Sequence, residues 1–192
     1  MTQSNLTMPV FTQRLDAEQL NDDQLQQLKV QQEAGNYLSL DFDTRQRSRF
    51  KADTQSGTTV GVDLPRTETL KSGCVLADAN GNLMQVFAAD QSLTQVTTSG
   101  DGFLLMKAAY HLGNRHVPLM ITPSALFFEP DHVLSDMLVR LGVHVEDVHG
   151  PFEPETGAYQ SGHGHSGHSH DNQSHSHSHS HSHDDHSHSH SH

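Results

Sequence analysis

Ser92-Leu93-Thr94-Gln95-Val96-Thr97-Thr98 alternates polar and apolar residues, and a few positions later the period changes: between Phe103 and Leu112, the residues Leu105, Ala108, Ala109 and Leu112 recur at i, i+3, i+4 and i+7. A period of two sends alternate side chains to opposite faces of a strand, whereas a period near 3.6 gathers them along one side of a helix. Asp101 is placed to cap the first turn and Gly113 to stop the last. Pro118-Leu119-Met120-Ile121 and Ala125-Leu126-Phe127-Phe128, flanking Thr122-Pro123-Ser124, then read as two short strands. Leu134, Met137, Leu138 and Leu141 restore the helical spacing, Gly142 ends it, and Val143-His144-Val145 begins a final strand. The order is βαββαβ, the ferredoxin-like arrangement with two helices on one face of a four-stranded sheet.

Upstream the apolar runs are shorter. Tyr37 to Phe42, Thr58 to Val62, Cys74 to Ala77 and Leu83 to Ala88 are bounded by turn signals such as Ser56-Gly57 and Asn80-Gly81, and together they predict a small β-rich domain. Asn80-Gly81 between two apolar runs predicts a hairpin. Leu25 and Leu28, within a Gln-rich stretch between Asp16 and Glu33, predict one short helix. The chain therefore reads as α+β: a β-rich domain over 1–90, a ferredoxin-like metal-binding and dimerisation domain over 91–150, and a disordered tail over 151–192 that is His-rich from 163.

That tail is the strongest chemical signal. Thirteen of the 18 histidines lie in it: His163, His165, His168, His170, His175, His177, His179, His181, His183, His186, His188, His190 and His192. Neutral imidazole is the commonest side-chain ligand for borderline divalent ions, and dense histidine tracts bind nickel, zinc or copper. The interleaved serines keep the segment too polar to collapse into a core. A purification tag is usually a contiguous run, unlike this stretch, which Asp171 and Asp184-Asp185 interrupt.

The net charge is −12, with 23 acidic against 11 basic residues, and it stays strongly acidic without the tail aspartates. Nucleic acid is a poor partner for such a surface, because phosphate binding rests on clustered Lys and Arg. No window approaches the ~18 apolar residues of a membrane span and the first residues lack a secretory pattern, so a cytoplasmic chain is expected. Cys74 stands alone, which excludes an internal disulfide and reads as a small buried strand residue. Enzyme signatures are weak. The Gly162 to Gly167 glycine pattern has no strand before it and no helix after it, and neither a phosphate-cradling Gly-Lys-Ser/Thr loop nor a His-Glu-x-x-His pair occurs.

In Gly113-Asn114-Arg115-His116-Val117-Pro118, glycine and proline set a tight turn that presents His116. A lone turn histidine is commonly structural, but two-fold symmetry would make it two, and tail histidines could complete a metal site. His132, at the start of the second helix, is either a capping or packing residue or an auxiliary ligand. His111 reads as a packing residue or as a support behind a ligand, and His144 and His149 as surface residues. Arg45, Arg47 and Arg49, if on a strand, would share one face that binds an acidic partner or is simply solvated.

Five segments carry a resemblance: Arg45 to Phe50, Val60 to Arg66, Ala108 to Leu119, Asp131 to Leu134, and Pro151 to Tyr159. Together they resemble the UreE urease accessory proteins, over roughly Leu38 to Tyr159 plus the tail. The resemblance implies a partner-binding β domain, a ferredoxin-like domain that forms a homodimer, and nickel held where His116 meets its symmetry mate. It also implies a nickel metallochaperone, not an enzyme, that delivers Ni(II) for urease maturation through the accessory GTPase UreG and the urease apoprotein complex. Zinc and copper are the expected competitors. Two departures stand out. Gln13 to Asn36 looks like an extension, and Phe128-Glu129-Pro130 replaces extra histidines that some relatives carry, leaving only His132 there. A general nickel or zinc store, with the tail as its working part, is the alternative; transfer of metal to a recipient would separate the two.

Overall fold

The computed structural model describes residues 8–15, 19–65 and 69–156, so the expected disordered, His-rich tail lies outside the described residues from 157 onward. The first half contains β1 (Val10–Leu15), α1 (Asp22–Glu33), β2 (Tyr37–Leu40), α2 (Phe42–Arg45), β3 (Arg49–Asp53), β4 (Thr59–Asp63), β5 (Val75–Asp78) and β6 (Leu83–Ala88). Their strands form one six-stranded sheet in the order β2-β6-β5-β1-β4-β3. Alternation divides its apolar residues between two faces. Phe11, Leu38, Leu40, Val60, Val62, Leu76, Met84 and Val86 pack together on one face, while Val75, Ala77 and Leu83 of the other lie under Leu28 of α1.

The Gln-rich stretch is thus a lid on the sheet, started by a capping box in which Asn21 accepts from Gln24 N and the Gln24 side chain accepts from Asn21 N. The hairpin at Asn80-Gly81 is present between β5 and β6. Gly81 takes φ +81°, and the Asp78 carboxylate accepts from Asn80 N, Asn82 N and Asn82 Nδ2. Those bonds, led by that from the Asn82 side chain, hold Asp78 below the usual carboxylate range.

Two strands and a helix go beyond the sequence expectation. β1 buries only Phe11 of its six residues, so it carries no alternation to read, yet it sits inside the sheet, parallel to β4 and antiparallel to β5. Phe42, expected to finish a strand, instead opens α2, because the Asp41 side chain accepts from Thr44 N and turns the chain. As a result Arg45 lies on a helix and Arg49 on a strand. The expected shared face of Arg45, Arg47 and Arg49 does not exist: Arg45 is only 2% exposed, while Arg47 and Arg49 face solvent.

The second half contains β7 (Asp90–Thr97), α3 (Gly102–Gly113), β8 (Met120–Ile121), β9 (Ala125–Phe128), α4 (His132–Leu141) and β10 (His144–Pro151). Its four-stranded sheet has the order β10-β7-β9-β8, and β7 pairs antiparallel with both β9 and β10, as the ferredoxin-like reading requires. Ala108 and Leu112 of α3, Leu138 of α4, and Val96, Leu126 and Phe128 of the sheet form its core. Fully burying a Leu or Phe side chain contributes about 1.5–3 kcal/mol.

The sheet's opposite face is also covered. Leu93, Met120, Phe127 and Val148 pack around Phe42 and Phe152, whose rings meet edge to face at 5.2 Å. Ordered structure therefore runs past Gly150, where a tail from 151 was expected. Pro151 ends β10, Phe152 is fully buried and Glu155 N donates to Leu119 O. Phe152 is an isolated apolar residue among prolines and glutamates, a pattern that gives no periodicity signal.

The three longer helices end alike. After α1, Asn36 N donates to Gln31 O and Gly35 N to Gln32 O; after α4, Val143 N donates to Leu138 O and Gly142 N to Val139 O. These paired bonds define the Schellman motif, whose pivotal residue is left-handed and usually glycine; here Gly35 has φ +75° and Gly142 φ +95°. After α3 the same bonds run from Val117 N to Leu112 O and from His116 N to Gly113 O, so the pivot is His116, with φ +56°. Gly113, the expected stop, lies within the helix instead.

A β-carbon in the left-handed region costs roughly 1–2 kcal/mol, although histidine tolerates it better than most residues. Replacing His116 by glycine removes that strain and adds unfolded-state entropy, so His116→Gly is expected to raise stability by about 0.5–1 kcal/mol. Gly142→Ala, which introduces the strain where none exists, is expected to lower it by about 1–2 kcal/mol. Denaturant midpoints check both; a less stable glycine variant at 116 would show that the turn is not strained.

Candidate functional site

His116 is exposed at the turn that closes α3. Arg115 Nη1 donates to His111 O at 2.8 Å and so braces the last turn of the helix, leaving the His116 ring as the group that the turn projects. His111 is half-buried and touches Tyr110 edge-on at 5.5 Å, as expected of a packing residue. An apolar stripe leads along α3 toward this turn. Phe103, Met106 and Tyr110 lie at i, i+3 and i+7, and are 62%, 63% and 66% exposed. Gly113 continues the same stripe without a side chain. Three large apolar groups on one exposed helix face, unlike scattered ones, mark an interaction surface.

Strand directions place the other candidates. β8 pairs antiparallel with β9, and β9 antiparallel with β7, so α3 and α4 run in opposite senses. The C-terminal end of α3 and the N-terminal end of α4 consequently lie at the same end of the domain, which brings His116 and His132 to one side. His132 is exposed at the first position of α4. It does not cap that helix: the Asp131 carboxylate accepts from Val133 N and Leu134 N and does so instead. His144 and His149 are surface residues that approach Ser99 at 3.3 Å and Ser92 at 3.5 Å. Among the described residues no three His, Cys, Asp or Glu side chains gather in a metal-holding group. The tail histidines from His163 to His192 lie outside the described residues.

Cys74 is half-buried, and desolvation pushes its thiol up to about 11. A thiol so rarely ionised is a poor metal ligand at neutral pH. No helix among the described residues is long and apolar enough to cross a membrane.

Arg45 has a role that its sequence neighbourhood does not reveal. The Arg45 guanidinium is buried and donates from Nε to Leu40 O at 3.2 Å, from Nη1 to Leu70 O at 2.9 Å and Glu153 Oε1 at 2.6 Å, and from Nη2 to Phe152 O. Glu153 Oε1 also accepts from Ser72 N, and Glu153 N approaches Met120 Sδ at 3.4 Å. Arg45 and Glu153 are far apart in sequence, and an arginine beside two others reads as a solvated charge. Only the recurrence of both residues in segments that carry the family resemblance marked them.

The comparisons with known proteins agree with this architecture. The N-terminal domain model of the UreE urease accessory protein matches residues 11–89, and the C-terminal domain model matches residues 91–192. The chain is 51% identical over 152 residues to a urease accessory protein UreE of Acinetobacter baylyi, covering 79% of this chain and 88% of that one. It is 50% identical, with the same coverage, to that of Acinetobacter baumannii strain AYE. It is 48% identical over 128 residues to that of Albidiferax ferrireducens, covering 65% and 74% of the two chains. With both domain models matched in order and half the residues shared over most of the chain, this protein belongs to the UreE family of urease accessory proteins, whose role is in urease maturation.

Proposed function

We propose that the chain is a cytoplasmic nickel metallochaperone, which carries Ni(II) as cargo to the urease apoprotein and its accessory GTPase UreG. The observation that carries this reading is His116: an exposed imidazole held in a strained turn at the end of an exposed apolar stripe. Strain persists where the surrounding structure enforces it, and it concentrates at ligand sites. If Phe103, Met106 and Tyr110 pack against the same stripe of a second copy, two-fold symmetry brings two His116 rings together. His132, at the same end of the domain, serves as an auxiliary ligand, and the tail histidines supply the remaining nitrogens.

Such a site suits transfer. Imidazoles at a solvent-facing interface release metal on protonation or ligand exchange more readily than a buried thiolate cage does. At two to four imidazoles per ion, the tail's 13 histidines hold roughly three to six ions. Zinc and copper compete for the same nitrogens, copper more tightly on affinity order alone. The storage alternative differs in one respect, since a store would not load a recipient.

Three outcomes are expected. His116→Ala should abolish the tightest nickel site and most transfer to apo-urease complexes while leaving tail capacity nearly unchanged, because one substitution removes both symmetric ligands. Transfer equal to the parent's would sink the carrier reading. Met106→Glu should place a charge in the apolar contact, shift the dimer toward monomer in analytical ultracentrifugation, and weaken the same site. An unchanged sedimentation profile would rule out this face as the dimer contact.

The third concerns pH. An imidazole must be neutral to ligate and protonates near ~6.5 in model peptides, so acidification from about pH 7.5 to 5.5 should release nickel. The helix and strand signal in circular dichroism should stay flat over that range. Simultaneous collapse would mean that metal holds up the fold.

A further inference from the structure

We propose that Arg45 and Glu153 are positioning residues for delivery: their contact locks the β-rich half to the ferredoxin-like half at one angle, so that a recipient engaging both halves meets His116 in a fixed place. The delivery role rests on the carrier reading above. The lock itself does not.

Covalent continuity alone would let the two halves turn. β6 ends at Ala88 and β7 begins at Asp90, so a single residue, Ala89, joins the two sheets. Ala89 N donates to Leu40 O at 2.8 Å, which ties the joint to its β-rich side only. Rotation about the backbone bonds of one residue is enough to swing one sheet against the other. Phe42 adds a contact across the joint, lying among Leu93, Met120, Phe127, Val148 and Phe152. Apolar burial is non-directional, however, so this plug keeps the halves together without setting their angle.

The Arg45 fork supplies the angle. Its β-rich side is assembled first: Nε donates to Leu40 O at 3.2 Å, Nη1 donates to Leu70 O at 2.9 Å, and Leu70 N donates back to Arg45 O at 3.0 Å. A guanidinium held in this way aims its other bonds across the joint, from Nη1 to Glu153 Oε1 at 2.6 Å and from Nη2 to Phe152 O. Ser72 N, also of the β-rich half, donates to the same carboxylate oxygen at 3.0 Å. Phe152 and Glu153 follow directly on Pro151, which is in register with Asp90 in the β10–β7 ladder, so their positions are those of the ferredoxin-like sheet. A planar group bonded to both halves transmits direction, which the compact ammonium of a lysine does not.

The two partners differ in burial, with the Arg45 side chain 1% exposed and that of Glu153 38%. Removing the carboxylate strands a cation where water hardly reaches, whereas removing the guanidinium returns Glu153 to solvent. Leu40 O keeps its bond from Ala89 N in either case. Arg45→Met therefore opens the lock with the least damage to each half.

The test compares the full-length parent with Arg45→Met by backbone residual dipolar couplings, by titration with nickel ion alone, and by nickel transfer to the urease apoprotein complex. In the parent, couplings from both halves should fit one alignment tensor. In Arg45→Met each half should remain internally consistent but require its own tensor. Transfer is expected to fall about tenfold while affinity at the tightest site changes by less than about twofold, the mark of lost orientation rather than lost ligands. A single tensor in Arg45→Met would overturn the lock. Separate tensors with unchanged transfer would overturn the positioning role, and so would a loss of nickel affinity as large as the loss of transfer. Should Arg45→Met fail to fold by circular dichroism, Arg45→Lys, which keeps the charge without the fork, carries the test with the same expected directions. A parent that loads no recipient sinks the carrier reading and the delivery role together, with the lock still decided by the couplings.

Discussion

A guanidinium taken out of water must have its N–H groups answered, because an unpaired buried charge costs several kcal/mol. Arg45 meets that demand with three carbonyls, of Leu40, Leu70 and Phe152, and one carboxylate, of Glu153. The partners come from three different stretches of chain. Leu40 ends β2, Leu70 lies in the connection between β4 and β5, and Phe152 and Glu153 follow β10. Satisfying one side chain therefore fixes three pieces of backbone around it. It also explains why Phe42, which lies 5.7 Å below the guanidinium, can wedge into the second face of the ferredoxin-like sheet. Gln91 adds a neutral cross-link, accepting from Phe42 N and donating to Glu129.

Against this rigid junction, the His116 turn shows a different compromise. Two other helices of the molecule end in the same hydrogen-bond pattern with glycine at the pivot, the residue that accepts the left-handed backbone without strain. At the third helix the pivot must also be a ligand in the metal-carrying reading, and glycine has nothing to offer a metal. Stability is given up locally, at one exposed position.

How much of this was legible in the sequence depends on the range of the interactions. The ferredoxin-like half was readable because Leu105, Ala108 and Leu112, and later Leu134, Leu138 and Leu141, record helical burial locally, and the flanking strands alternate. Asn80-Gly81 fixed its hairpin for the same reason. β1 was not readable, since a strand with one buried residue owes its place to partners in β4 and β5 and not to its own pattern. The four residues of α2 depend on the Asp41 cap, and Arg45 became a core residue only when Glu153 was folded against it. His116 was identified as the presented residue, but the helix stop was assigned to Gly113 and not to His116 itself. A non-glycine pivot leaves no trace in composition. The family was legible from motif residues that no hydrophobic period would have selected.

In the metal-carrying reading, the pivot at His116 also limits which ligands this position could offer. Side chains that tolerate a left-handed backbone, besides glycine, are chiefly asparagine, aspartate and histidine. Their donors are oxygens and imidazole nitrogen, which are hard or borderline. Cysteine and methionine, the soft sulfur ligands that favour cuprous ions, have no such tolerance. The backbone angle thus filters ligand softness: His116→Asp shifts the site toward harder cations at little conformational cost, whereas a thiolate at the same place requires the helix to end differently. A bend in the main chain, far simpler than a shaped cavity, narrows the part of the periodic table that the surface can recruit.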